Sequence, residues 1–250
     1  MSGFQHVGSL IEGLGARLQY VDGSCGEHGA SKVLARSGAG WYCPHCLDQQ
    51  KRPDFDAIWA KDRREHVAKA ADIPARYRGQ SFKGLTDEHK AIRAIAARFR
   101  DAITPAPRWA VLLMVGEVGT GKTLLACELT EAYIAKTGRS ARYITARGMI
   151  SEIQSSYGRE GKAEETEIAR FARYDLLVLD EIDAVSDKDN AKLLLTEVVN
   201  RRYSNNKPMI AITNQKLDTL KDFVGDRVHD RLRDNAYPCN FPWESQRAFA

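Results

Sequence analysis

The chain has 250 residues, 43% of them hydrophobic, enough for one full-sized domain with its own core and a small appendage. Its net charge of +4 permits contact with nucleic acid without demanding it. No apolar run approaches the roughly 18 residues of a spanning helix, and Met1 to Leu10 lack the basic-then-apolar pattern of a secretion signal, so the expected location is the cytoplasm, away from membranes.

In chain order, residues 1–24 carry little pattern beyond a short helix expected at Ser9 to Gln19. Cys25-Gly-Glu-His28 and Cys43-Pro-His-Cys46 follow, two pairs separated by fourteen residues. Five cysteines in a reducing compartment do not suggest a disulfide framework, and this spacing suits one tetrahedral Zn²⁺ held by Cys25, His28, Cys43 and Cys46. His45 is a competing imidazole within the second pair. The alternative, a redox C-x-x-C, lacks a surrounding βαβ pattern. Cys127 and Cys239 read as small core residues.

From Leu47 to Asp72 the pattern is helical and ion-rich, with Phe55, Ile58 and Trp59 as a narrow apolar face, which suits a connector or partner-binding helix. Ile73-Pro74 and Arg76-Tyr77-Arg78-Gly79 interrupt it. A second helix is expected from Asp87, where Ile92, Ile95, Ala96, Phe99 and Ile103 repeat at helical spacing until Pro105 and Pro107. Strands are then expected at 110–115, 141–145, 176–180, 209–213 and 238–241. Helices are expected at 121–137, 146–157, 164–174, 188–204 and near 225–234. Such alternation predicts an α/β fold, a parallel sheet covered by helices on both faces.

The first of those strands runs into Gly116-Glu117-Val118-Gly119-Thr120-Gly121-Lys122-Thr123, a complete G-x-x-x-x-G-K-T continued by Leu124. Gly116, Gly119 and Gly121 allow the backbone to turn so that several N–H groups, with Thr120 among them, and a helix N-terminus face one anion. Lys122 is placed to reach the β- and γ-phosphates of ATP, and Thr123 to hold Mg²⁺. An ordinary glycine turn is the competing explanation, but the preceding strand and following helix are the context the motif requires. Asp180-Glu181 ends a second apolar strand. There Asp180 supports the Mg²⁺ shell and Glu181 polarises a water, whereas two acids merely capping the next helix is the plainer alternative. Asn214 ends a third strand, at the edge where ligands of open α/β sheets bind, and either orients the water or forms a turn. Gly225 to Arg233 carries Arg227, Arg231 and Arg233 on a short helix, a source of the arginine that side-by-side NTPases lend to a neighbour.

Together these segments resemble the AAA+ ATPases of the bacterial replicative helicase-loader group, the DnaC type, with transposition helper ATPases of the IstB type as cousins. The resemblance runs from the cysteine knuckles through Ile73-Pro74-Ala75-Arg76-Tyr77, Phe82, the phosphate loop and the Tyr174 to Ile182 strand. It continues through Val199-Asn200-Arg201-Arg202-Tyr203, Thr213-Asn214 and the Gly225 helix to Phe241-Pro-Trp243-Glu-Ser-Gln-Arg247. It implies that Asn214 is a first sensor, that Arg227 is the arginine finger with Arg231 its competitor, and that Arg247 sits where such proteins place a late arginine. It also implies a partner helicase, assembly into an ATP-dependent oligomer, and single-stranded DNA held near helices 146–157 and 164–174, where Arg147, Tyr157, Arg159 and Lys162 lie. The expected organisation is a zinc-binding, partner-binding module at 1–50, a helical connector at 51–80 and an AAA+ domain at 81–250 without an evident lid. A transposase or initiator partner is the alternative. A small-molecule kinase is disfavoured by Glu181, which suits water rather than an acceptor, and a vestigial ATPase beside a DNA-binding zinc module is disfavoured by the intact loop.

Overall fold

The computed structural model describes residues 18–36, 41–43, 52–83, 86–156, 163–185 and 189–246. The chain divides into two compact units, Met1–Glu65 and His66–Ala250, and the dividing point falls inside helix α1 (Arg52–Ala70). The first unit contains an antiparallel hairpin, β1 (Leu18–Cys25) and β2 (Gly29–Arg36), closed by the pairing of Cys25 with Gly29. Strand β3 (Trp41–Tyr42) adds to β2. Leu18 and Gln19 therefore extend a strand rather than ending the expected short helix, whose remainder lies outside the described residues, as do residues 47–51 of the expected connector helix.

In the second unit, α2 (Asp87–Ile103) starts where predicted. Thr86 Oγ1 accepts the His89 N–H while His89 Nδ1 accepts that of Thr86, a reciprocal cap on two otherwise orphaned donors. Its buried stripe is Ile92, Ala96, Phe99 and Ile103. The chain then alternates β4 (Val111–Gly116), α3 (Lys122–Thr137), β5 (Ala141–Thr145), α4 (Ala146–Ser155), α5 (Ala163–Arg173), β6 (Leu176–Asp180), α6 (Asp189–Ser204) and β7 (Met209–Thr213). Helices α7 (Leu217–Val224) and α8 (Asp226–Arg233) and strand β8 (Ala236–Phe241) complete it. Helix α7 was not expected. It is one apolar stripe, Leu220 and Val224, on eight residues, and Gly225 at φ +83 turns the chain from it into α8.

The five strands form one parallel sheet in the order β5-β6-β7-β4-β8. Alternate residues feed two cores. Val111, Leu113, Leu177, Leu179 and Ala211 pack against α4 to α8. Leu112, Met114, Val178, Ile210 and Ile212 pack against α2 and α3. Burial on both faces is why β4, β6 and β7 read as unbroken apolar runs, and the α/β expectation is borne out.

Arg202 on α6 explains part of the Asn-Arg-Arg-Tyr motif. Its side chain is fully buried, and its guanidinium donates to the carbonyls of Phe171 (2.9 Å), Ala172 (3.3 Å), Tyr174 (2.8 Å) and Pro208 (2.5 Å). The C-terminal carbonyls of a helix lack intrahelical donors, so one planar cation ties the end of α5 to the entries of β6 and β7. Loss of solvent pushes its pKa down to about 9, which leaves it charged at neutral pH.

Candidate nucleotide-binding site and cysteine cluster

Parallel pairing sets the ends of the central strands side by side, since Val115 pairs with Thr213 and Thr145 with Asp180. The loop after β4, the acids after β6 and the asparagine after β7 therefore emerge along one edge. Within the loop Gly121 has φ +96, and a Cβ there would lie 2.7 Å from the Phe82 ring, so both backbone conformation and space demand glycine. Helix α3 begins at the next residue, which brings its free N–H groups to the loop.

Lys122 is buried, and its ammonium donates to the carbonyls of Gly116 (2.7 Å) and Glu117 (2.7 Å) and to Asn214 Oδ1 (3.0 Å). Thr123 Oγ1 donates to Asp180 Oδ2 at 2.8 Å, and the Glu181 N–H donates to Asp180 Oδ1 at 2.8 Å. Glu181 itself is exposed and left-handed, at φ 51 and ψ 47, a conformation costing a non-glycine residue about 1–2 kcal/mol. The Asn214 N–H is held by Asp183 Oδ1 at 3.3 Å. A cavity of about 250 Å³ is lined by Val118 to Leu124, Asp180, Glu181 and Asn214, joined by Arg76, Tyr77 and Gln246. The donor set suits a nucleotide with its cation: backbone N–H groups and an ammonium for phosphates, and a hydroxyl beside a carboxylate for a hard ion.

One site residue escaped the sequence. Tyr143 on β5 donates its hydroxyl to Asp180 Oδ2 at 2.7 Å, the oxygen that Thr123 also reaches. Burial, reinforced by the Asp180 charge, pushes the phenol far above its ordinary range, so it remains a donor at any working pH. No local signal marks Tyr143, because its role depends on β5 lying next to β6. Cys127, on α3, has its thiol pushed up to about 12 by burial and is not a nucleophile at neutral pH.

Arg227 does not line this cavity. It is exposed on α8, without an ion pair among the described residues, and borders a separate cavity of about 540 Å³ with Lys192, Leu193 and Thr196. Arg231 turns inward over the Tyr203 ring at 5.1 Å. Arg147 is exposed on α4 while Met149, Ile150 and Ile153 fill the core beneath it. Tyr157, Arg159, Lys162 and Arg247 lie outside the described residues.

In the first unit the hairpin turn brings Cys25 and His28 together, and β3 delivers Cys43. Their ligand atoms lie within 4.8 Å of one another. His28 Nδ1 is 3.7 Å from Cys25 Sγ and 3.8 Å from Cys43 Sγ. A tetrahedral zinc with ordinary Zn–S and Zn–N bonds sets sulfur and nitrogen about 3.6 Å apart. The near-equal distances from one nitrogen to two sulfurs are compatible with a shared metal. Cys46 and His45 lie outside the described residues.

A five-stranded parallel sheet with a phosphate loop, a Thr-Asp pair and an asparagine at one edge defines a P-loop nucleotide-binding core of the AAA+ type. The chain belongs to the family of IstB-like ATP binding proteins, whose model matches residues 98–235. It is 30% identical over 140 residues to the replicative helicase loader DnaC of Escherichia coli (strain K12), a match covering 56% of this chain and 57% of that loader. It is 27% identical over 205 residues to DnaC of Buchnera aphidicola subsp. Baizongia pistaciae, over 80% of this chain and 83% of that one. A crystal structure of the DnaC helicase loader superposes with a TM-score of 0.61 at 19% identity, covering 67% of this chain and 99% of that one. DnaI gives 0.58 at 19%, over 68% and 94%. The resemblance to DnaC-type loaders is borne out; the expected helicase, DNA and metal go further than these likenesses reach.

Proposed function

We propose that the protein is an ATP-driven loader of a replicative DNA helicase. The carrying observation is the Lys122, Thr123, Asp180 and Asn214 cluster on a core similar to DnaC. Lys122 and the loop N–H groups bind the phosphates, and Thr123 with Asp180 holds Mg²⁺, which neutralises charge on the transferring phosphate. Glu181, kept at the cavity in a strained backbone conformation, accepts the proton of the attacking water, and Asn214 fixes that water or the γ-phosphate. Arg227, outside the cavity of its own chain and without an ion pair among the described residues, serves the nucleotide of an adjacent copy. The inward turn of Arg231 favours Arg227 for this role. ATP then acts as a switch that orders a multi-subunit assembly on single-stranded DNA and releases the helicase on hydrolysis.

Residues 1–50 form a zinc module holding one Zn²⁺ through Cys25, His28, Cys43 and Cys46. With the helical connector of residues 51–80 it binds the helicase, ahead of an AAA+ domain at 81–250. The sulfur–nitrogen distances support the first three ligands. The match to an IstB-like model favours one second reading, a transposition helper with a transposase as partner. Purified full-length chain with MgATP, offered a replicative helicase of the DnaB type and an IS21-type transposase on separate resins, distinguishes them. Retention by the helicase alone supports the loader; retention by the transposase alone overturns it.

A further inference from the structure

A backbone cradle for phosphate works only if its N–H groups point inward, so its carbonyls must be held outward. In this loop the carbonyls of Gly116, Glu117, Gly119, Thr120 and Gly121 have donors. Lys122 Nζ takes those of Gly116 and Glu117, Thr120 Oγ1 also takes that of Glu117 at 2.9 Å, and Leu125 N–H takes that of Gly121. The two in the middle are satisfied from elsewhere in the chain. Trp243 Nε1 donates to the Thr120 carbonyl at 2.9 Å, and the Gln246 backbone N–H donates to the Gly119 carbonyl at 2.9 Å. The peptide unit is planar and trans, so the Thr120 carbonyl turned toward Trp243 turns the Gly121 N–H the opposite way, and the Gly119 carbonyl turned toward Gln246 does the same for the Thr120 N–H.

The sheet puts this strap, residues 242–246, in position. Strand β8 is the parallel neighbour of β4 and ends level with it, Phe241 beside Gly116, so the chain leaving β8 runs alongside the loop leaving β4. The strap is seated by aromatic contacts. The Trp243 ring lies 4.0 Å from His89, 5.3 Å from Phe241 and 6.4 Å from Phe82, centroid to centroid. It also sits so close that a Cβ on Gly119 would fall 2.1 Å from Ser245 Oγ. The strap lies beyond the residues 98–235 that the family model matches.

We propose that Trp243 and the strap it anchors are positioning elements for the phosphate loop, fixing the inward direction of the Thr120 and Gly121 N–H groups. This rests on the nucleotide reading above. A loop that has lost one outward tie spends part of its time with an N–H misdirected, which weakens nucleotide binding and leaves the chemical step of bound ATP nearly unchanged.

The test measures MgADP affinity by calorimetry on the full chain, KM and kcat for MgATP, and the thermal midpoint without nucleotide. Trp243→Phe keeps a ring and removes the N–H donor; affinity should fall about fivefold, the equivalent of one net hydrogen bond, and appear in KM rather than kcat. Gly119→Ala should weaken binding more than tenfold through the clash with Ser245 and the strain of φ +86. Ser245→Gly, measured alone as the reference, should when added to Gly119→Ala restore part of the loss relative to that reference, because the clashing Oγ and Cβ are gone. Parental affinity of Trp243→Phe, or no recovery in the Gly119→Ala/Ser245→Gly pair, overturns the strap's role. If Lys122→Ala alone loses MgADP while the strap variants keep it, the nucleotide site stands and the strap proposal falls. A parent chain that binds no MgADP overturns both.

Discussion

The Tyr143 hydroxyl gives the most direct test of how the site is held. Asp180 Oδ2 accepts two hydroxyl donors, Thr123 at 2.8 Å and Tyr143 at 2.7 Å, while Oδ1 is occupied by the Glu181 N–H. A hydrogen bond to a charged acceptor is worth about 1.5–3 kcal/mol. Spread over the orientation of Asp180, that is roughly 10- to 100-fold in an equilibrium constant, the range observed when partners behind a metal ligand are removed. Tyr143→Phe should therefore raise the Mg²⁺ concentration needed for half-maximal ATPase about tenfold or more, with nucleotide binding in EDTA unchanged. The defect should not vary between pH 6 and 9. The folded phenol titrates far above its ordinary 10.0, so its stabilisation is complete below about pH 10 and declines only as pH rises beyond it. A Mg²⁺ titration of ATPase, run beside fluorescent-ADP binding in EDTA, decides the matter. A parental Mg²⁺ dependence would refute the claim that Tyr143 positions Asp180.

Lys122→Ala should abolish nucleotide binding, whereas Glu181→Gln should bind ATP and fail to hydrolyse it; parental turnover by Glu181→Gln, measured as phosphate release, would remove Glu181 from the chemistry. Arg227→Ala should leave the ATP affinity of an isolated subunit intact and silence the assembly. Mixing it with Lys122→Ala subunits should recover part of the ATPase if the arginine acts on a neighbour, and no recovery at any ratio counts against that. Cys43→Ser with Cys46→Ser should contain no zinc by elemental analysis and lose helicase capture while still binding MgADP, because a small module takes its folding energy from the metal and the ATPase sheet has its own core. Stoichiometric zinc in that variant would refute the ligand set. Arg202→Ala should lower the stability of the ATPase unit by about 3–5 kcal/mol in urea melts, since four carbonyls, three of them in buried bonds, lose their shared donor; a loss below about 1 kcal/mol would show that solvent replaces it.

The α/β alternation, the phosphate loop and the acids of β6 were legible because each is local. Apolar runs mark strands buried on both faces, and the glycine and lysine spacing of the loop is the one a phosphate cradle requires. The hairpin of β1 and β2 was not legible. Residues 18–36 show no sustained alternation of apolar and polar side chains, so no period-2 signal marks the two strands. Helix α7 was missed for a related reason, as eight residues carry too few turns to establish a period.

By itself, then, the sequence determined the fold class and the phosphate-loop segment, and it pointed to Lys122, Thr123, Asp180, Glu181 and Asn214, which the structure sets around one cavity. Only the tertiary structure decided the order β5-β6-β7-β4-β8, and with it the contacts between segments distant along the chain. Those contacts include Tyr143 on Asp180, Arg202 on the end of α5, and Trp243 on the phosphate loop. The physical reason is common to all three. Each partner is recognised by a donor and an acceptor brought within 3 Å by sheet order and packing, and no local periodicity or motif spacing encodes which strands become neighbours.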